Sequence, residues 1–487
     1  MAGELRLSHS MKAITLFWLV AAVSFGQPVR SSNGWLTDLQ HGQELERRGQ
    51  LAEAEPLVSR LVTEASEESC RDCDLGEALA LLATVYQDQA RYTEAEAVFR
   101  RAAELREKTQ PNTRHEAIAL SNLANCYVFE EKYSAALPLF TRAAEILKQP
   151  SFDNPPELSI VLFSAAQVYQ ETNKDGQAEN LYRESIQSAE RIKPQDTHAI
   201  ANAFSKFAEF LYAKNRLPEA EDAYKHALQL LQTGGAESAD VAVLLNNLGE
   251  VYRRQGRSNE AEASYLKSLK FAEANPKFNP REAATAEFNL ARLYAQTGRF
   301  SEANKYFVAA EEHFRSIFGP THPTFATVIY VEGDYYLRRG FYSKALPLLS
   351  KAVEIFGQTQ PNSLSLATAQ IAMAEADLAA GNITEADQLC RSGLLIRTRI
   401  LGSEDSKTLI AEHVMGEVLR AQAQYGEAEP LYLHAIQGFA RNPADQAHLQ
   451  IALNHYAALL RSMGRNGDAK RVETRVKTVS QTAFVER

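Results

Sequence analysis

A chain of 487 residues with 45% hydrophobic and 23% charged residues has the make-up of a folded soluble protein, and its 24 glycines and 17 prolines argue against long disordered linkers. Its formal net charge of −9, with 52 Lys and Arg scattered among 61 Asp and Glu, lacks the basic field that nucleic-acid binding requires. Length alone would suggest about three globular domains, unless the chain grows by stacking small units instead of enlarging one core.

Residues 1–26 have the layout of a secretory signal. Lys12 precedes an apolar run from Ala13 to Phe25, and the small residues Ser24 and Gly26 stand before Gln27. The run is shorter than the roughly 20 apolar residues that span a bilayer. The expectation is export to a periplasmic or extracellular space, with Met11 as an alternative start. An uncleaved anchor and a cytoplasmic chain are the alternatives. Residues 27–35 read as a short linker.

From residue 36 to 477 the chain repeats itself. Alanine opens a second helix at Ala54, Ala95, Ala136, Ala178, Ala220, Ala261, Ala303, Ala345, Ala386, Ala428 and Ala469, in steps of 41 or 42 residues. Four residues on stands a large side chain in most units (Phe99, Phe140, Tyr182, Tyr224, Tyr265, Phe307), and three further a small one. A large residue beside a small one is what a close helix crossing needs. The first helices carry their own small position at Ala83, Ala124, Ala166, Ala208, Gly249, Ala291, Gly333, Ala374, Gly416 and Ala457. Glycine punctuates the turns, as at Gly256, Gly298, Gly340, Gly381 and Gly464. The first unit departs from the pattern at Val58 and Leu61 and the last at Glu473, as expected of terminal units with one neighbour. Residues 478–487 read as a short frayed tail.

This pattern resembles the tetratricopeptide repeat (TPR), and the 41–42-residue step with the linker Phe318-Gly319-Pro320-Thr321-His322-Pro323 is similar to the kinesin-light-chain subtype. The resemblance implies an all-α fold: an α-solenoid, wound as a right-handed superhelix, of about eleven helix-turn-helix units with first helices lining the inside. It says little about function, because one fold hosts many roles.

Motifs for chemistry are sparse. Cys70 and Cys73 form a C-x-x-C with no second pair for zinc and no βαβ context for a redox site; a local disulfide is expected in an exported chain. Cys126 and Cys390 occupy packing positions. His413 and His455 lie on neighbouring first helices, but two histidines without a placed carboxylate make a weak metal site, and no metal or cofactor is expected. No phosphate loop, nucleophile elbow or H-E-x-x-H is present. The chain is not expected to be an enzyme.

The resemblance directs attention to the inner face of the first helices. There it places Asn122, Asn246, Asn247, Arg253, Arg254, Phe288, Asn289, Arg292, Tyr330 and Arg338. Asn122, Asn247 and Asn289 recur just before a leucine, where family members use asparagine to hold a peptide backbone. Amides can donate and accept together, arginine forks suit carboxylates, and the aromatics offer anchorage. The expected function is non-catalytic binding of a peptide or protein segment in this groove. The alternatives are a self-assembling array of copies, or an accessory subunit of a signalling system.

Overall fold

The computed structural model describes residues 34–485 apart from 48–49, 67–72, 90, 193–195, 234–238 and 275–279, and no side chain beyond 477. The expected signal segment and nearly all of the linker lie outside these residues. The described chain is a succession of α-helices without a strand, in two compact units that meet in sequence at Arg257 and Ser258.

The N-terminal unit opens with α1 (Gly34–Arg47), α2 (Leu51–Ser66), α3 (Leu75–Asp88) and α4 (Tyr92–Thr109). It continues through α5 (Arg114–Phe129), α6 (Tyr133–Leu147), α7 (Pro156–Glu171) and α8 (Asp175–Arg191). It ends with α9 (Thr197–Ala213), α10 (Leu217–Thr233) and α11 (Ala239–Arg254). The C-terminal unit holds α12 (Ser258–Ala274), α13 (Arg281–Thr297), α14 (Phe300–Phe318) and α15 (Pro323–Arg338). There follow α16 (Tyr342–Thr359), α17 (Leu364–Ala380), α18 (Ile383–Leu401) and α19 (Ser406–Ala421). The last are α20 (Tyr425–Arg441), α21 (Gln446–Ser462) and α22 (Asn466–Val485). The final helix runs past 477, so most of the expected frayed tail is helical.

The alanine register is the seam of the fold. All eleven alanines are buried, none more than 1% exposed. In three repeats the glycine at the small position shows the second-helix knob packed on its own first helix. A Cβ added to Gly333 would come within 2.9 Å of Leu349, one on Gly416 within 3.0 Å of Tyr432, and one on Gly42 within 3.0 Å of Val58. The degenerate first unit therefore keeps the same crossing with a valine knob. Turns inside repeats use the left-handed region, through Gly256, Gly298, Gly340, Gly381 and Gly464 but also through Glu131, Asn173, Asn215 and Ala423. Several first helices start on side-chain caps, at Asp74, Thr113, Asp196, Ser363 and Asp405, each accepting from backbone amides in the first turn.

Joints between repeats carry a further device. The basic residue after a turn reaches back to the glutamate that follows the register alanine of the preceding repeat. Arg91 meets Glu55 at 2.8 Å, Lys132 meets Glu96 at 2.6 Å, and Arg216 meets Glu179 at 2.6 Å. Arg257 meets Glu221 and Arg299 meets Glu262, both at 2.6 Å, and Arg465 meets Glu429 at 2.7 Å. Several of these bases also lie over the tyrosine of their own first helix, as Arg299 does over Tyr294 at 4.2 Å.

Candidate interaction surface on the first helices

Successive first helices touch one another, α1 with α3, α3 with α5 and α5 with α7 in the N-terminal unit, and α13 with α15, α15 with α17, α17 with α19 and α19 with α21 in the C-terminal unit. Each unit thus has a layer of first helices backed by second helices. The residue just after the small position turns about 100° away from the helix crossing and onto this layer. It is acidic at Glu209, Glu250, Asp334, Glu375 and Glu417. Where an arginine follows three or four residues later, the pair closes on the helix. Arg253 donates to Glu250 at 2.9 Å, Arg338 to Asp334 at 2.7 Å, and Arg420 to Glu417 at 2.9 Å. Glu250 also accepts from the Tyr212 hydroxyl at 3.0 Å, and Arg254 stacks over the Tyr212 ring at 4.7 Å.

The groove residues expected from sequence separate into two groups. Asn122, Asn247, Arg253, Arg254 and Arg292 are partly exposed on the layer, and Arg338 is exposed. Asn247 bonds the hydroxyl of buried Tyr224, and Arg292 donates to the Asn289 side chain at 3.2 Å. In contrast, Asn246, Phe288, Asn289 and Tyr330 are buried, Phe288 to 2% exposure. Phe288 packs edge-on against Phe307 and Phe314, so it belongs to the core and offers no surface anchor. The cause is helical geometry. Phe288 and Tyr330 stand three residues before Ala291 and Gly333, hence on the face that packs on the second helix.

Beside His413, which the sequence singles out, the C-terminal unit holds buried acids that it does not. Burial, with the charge of Glu311 nearby, pushes the Glu332 carboxyl up to about 7. Burial also raises Glu375 to about 7, against the opposing pull of the Arg338 charge. Burial and the neighbouring His455 lower His413 to about 4. Burial would raise Glu417, but the hydrogen bond from Arg420 and the charge of His455 outweigh it and hold this carboxyl below its ordinary value. Glu375 and Glu417 were legible as the residue after a small position and Glu332 as the residue before one, but each looked like one more charge on a helix face.

Cys73 is disulfide-bonded and lies just before the α3 cap, while Cys70 lies outside the described residues. Cys126 and Cys390 are buried free thiols, both pushed up to about 12 by burial. Among the described residues no helix is long and apolar enough to cross a membrane.

The repeat, its buried alanine seam and its paired helices define an all-α tetratricopeptide array, and comparison with known proteins agrees. The chain belongs to the MalT-like TPR region family, which matches residues 143–410. A second tetratricopeptide repeat family matches residues 74–149. The chain is 25% identical to human tetratricopeptide repeat protein 23 over 248 residues, 49% of this chain and 54% of that one; it spans about half the length of the curated relatives it matches. Among solved structures it is similar to the apo form of RapI, at 14% identity and TM-score 0.57, covering 76% of this chain and 98% of that one. It is also similar to the putative kinesin light chain repeats of Podosopora anserina, at 22% identity and TM-score 0.35, covering 41% of this chain and 95% of that one.

Proposed function

We propose that this chain is a non-catalytic scaffold that binds an extended protein segment along the layer of first helices within a unit. The observation that supports this reading best is the layer itself, a row of touching helices with a recurring acid, arginine and amide held in place by neighbours. Pre-positioned side chains lose little entropy on binding, which is how a rigid surface gains affinity. In the N-terminal unit Asn122 and Asn247 supply amides to a bound backbone and Arg253 and Arg254 charge for acidic side chains; in the C-terminal unit Arg292 and Arg338 supply that charge. Asn246, Phe288, Asn289 and Tyr330 act from beneath, by fixing these helices. The apolar run from Ala13 to Phe25 supports export of the chain. Its partners are protein, with neither nucleic acid nor a cofactor required.

The test is a peptide selected from a displayed library on the folded chain, followed by its affinity for Asn247→Ala and Arg338→Ala variants. A loss of at least tenfold in either variant with unchanged melting supports the reading. Equal affinity in both, with amide protection on the second helices, would overturn it.

A second reading, contact between copies, draws on the exposed Phe300, Phe341 and Tyr342; the Arg339 guanidinium lies 3.3 Å over Phe300 and 5.3 Å from the Phe341 ring. Sedimentation of Phe341→Ser against the parent separates the two, since only self-association would change with this residue.

A further inference from the structure

We propose that His413, His455 and Glu417 form a binding site for a divalent transition metal, zinc above all, on the first-helix layer of the C-terminal unit. His413 and Glu417 are four residues apart on α19, so they project from one face one turn apart. His455 comes from α21, the next first helix along. The Nε2 of His413 lies 3.0 Å from the Nδ1 of His455, and that Nδ1 lies 3.3 Å from a Glu417 oxygen. One ligand atom from each residue falls within 4.8 Å of the other two.

Two imidazole nitrogens and a carboxylate oxygen converging at this spacing suit a small borderline cation. Zinc at about 2.0–2.1 Å from each ligand holds tetrahedral donors about 3.4 Å apart, so a shift of a few tenths of an ångström opens the pair enough to admit it. Imidazoles select zinc, copper or nickel over magnesium or calcium, which take oxygen ligands.

The surroundings prepare the carboxylate. Glu417 accepts hydrogen bonds from Arg420 at 2.9 Å and from the Tyr432 hydroxyl. These fix its oxygens, and such outer contacts tune metal affinity. The Tyr432 ring also meets the His413 ring edge-on, with centroids 5.8 Å apart, which limits how that imidazole can rotate. The site is also reachable: the His455 side chain is 42% exposed and those of His413 and Glu417 are not sealed. With three protein ligands the fourth position stays open to water or to a carboxylate or thiolate from outside.

The experiment is calorimetric titration of the full chain, disulfide intact, with zinc chloride. One zinc per chain is expected, with visible d–d absorption when cobalt replaces it. His455→Ala should abolish both signals while leaving the metal-free melting curve in place. Tyr432→Phe keeps the knob but removes the hydroxyl on Glu417, and should weaken binding about 10–100-fold. Glu417→Gln should weaken it by at least as much, so the site stays testable even where His455→Ala disturbs packing. A parent that binds no zinc overturns the proposal, as does zinc bound equally by the parent, Glu417→Gln and Tyr432→Phe.

Discussion

Two kinds of joint hold the repeats together, and they are unevenly distributed. In the N-terminal unit four of the five joints are latched by a base after the turn and a glutamate after the preceding register alanine, in Arg91–Glu55, Lys132–Glu96, Arg216–Glu179 and Arg257–Glu221, while Leu137 and Lys174 fill the two slots of the other. The C-terminal unit opens with the same latch in Arg299–Glu262, but its next three joints carry other residues in these two slots, namely Asn304 with Phe341, Leu346 with Asn382, and Asp387 with Gln424. The latch returns only at Arg465–Glu429. The stretch without latches also holds the acids raised to about 7, Glu332 and Glu375. Partly exposed ion pairs contribute little energy, so the difference lies in what fixes the stacking. Directional charge pairs guide the first kind of joint, whereas the second depends on apolar fit.

The largest effect should come from breaking that fit. Tyr335 joins α15 to α14, with its ring 5.3 Å from Phe307 and 6.3 Å from Phe300. Tyr335→Ala should cost about 3–5 kcal/mol in chemical denaturation, against less than about 1 kcal/mol for Arg257→Ala at a latched joint. Equal costs would remove the distinction between the joints.

Next comes a pH effect confined to the same stretch. Folding raises the Glu332 and Glu375 carboxyls from an ordinary 4.5 to about 7. The folded chain therefore holds protons that the unfolded chain has released, and each site subtracts stability as pH rises from about 4.5 to 7, the loss being complete above 7. Glu332→Gln or Glu375→Gln should stabilise the chain by about 1–3 kcal/mol at pH 8, and the gain should shrink as the pH is lowered to 4.5. A gain that does not change with pH would show that packing, not charge, was relieved.

Much of this architecture can be read from the amino acids. The alanine seam, the glycine turns and the small positions of the first helices emerge from spacing alone, because each repeat obeys the same packing constraint. The latches were also written there, as Glu55, Glu96, Glu179, Glu221, Glu262 and Glu429 after register alanines. They were missed because partners 36 or 37 residues apart look like unrelated surface charges until the repeats are stacked. Phe288 and Tyr330 were misplaced for a different reason. A residue three positions before a buried glycine or alanine shares its face, so the small position that identified the repeat also marked these aromatics as buried. Glu417 escaped notice because its partner imidazole belongs to the next repeat, and only stacking brings the two together.

A smaller effect should come from the turn of the tenth repeat, where Ala423 adopts φ 59° in the place that glycine takes elsewhere. A left-handed conformation costs an L-residue roughly 1–2 kcal/mol, part of which glycine returns as extra freedom in the unfolded chain. Ala423→Gly should therefore raise stability by about 0.5–1 kcal/mol, measured by the denaturation midpoint at constant slope. No gain would mean that neighbouring contacts have absorbed the strain.

The smallest effect tests the latch by building one. At the joint between α18 and α20, Asp387 already follows the register alanine, but its carboxylate is held by Arg391 at 2.8 Å, and Gln424 occupies the basic slot. Asp387→Glu lengthens the acid toward the next repeat, and Gln424→Arg supplies the base beside Tyr425. Neither change alone completes the pair, so a double-mutant cycle isolates their interaction. A coupling of about 0.2–1 kcal/mol is expected, the range of exposed ion pairs, and it should fall as salt is added. Zero coupling at low salt would mean that the native latches follow from the stacking geometry and do not help to set it.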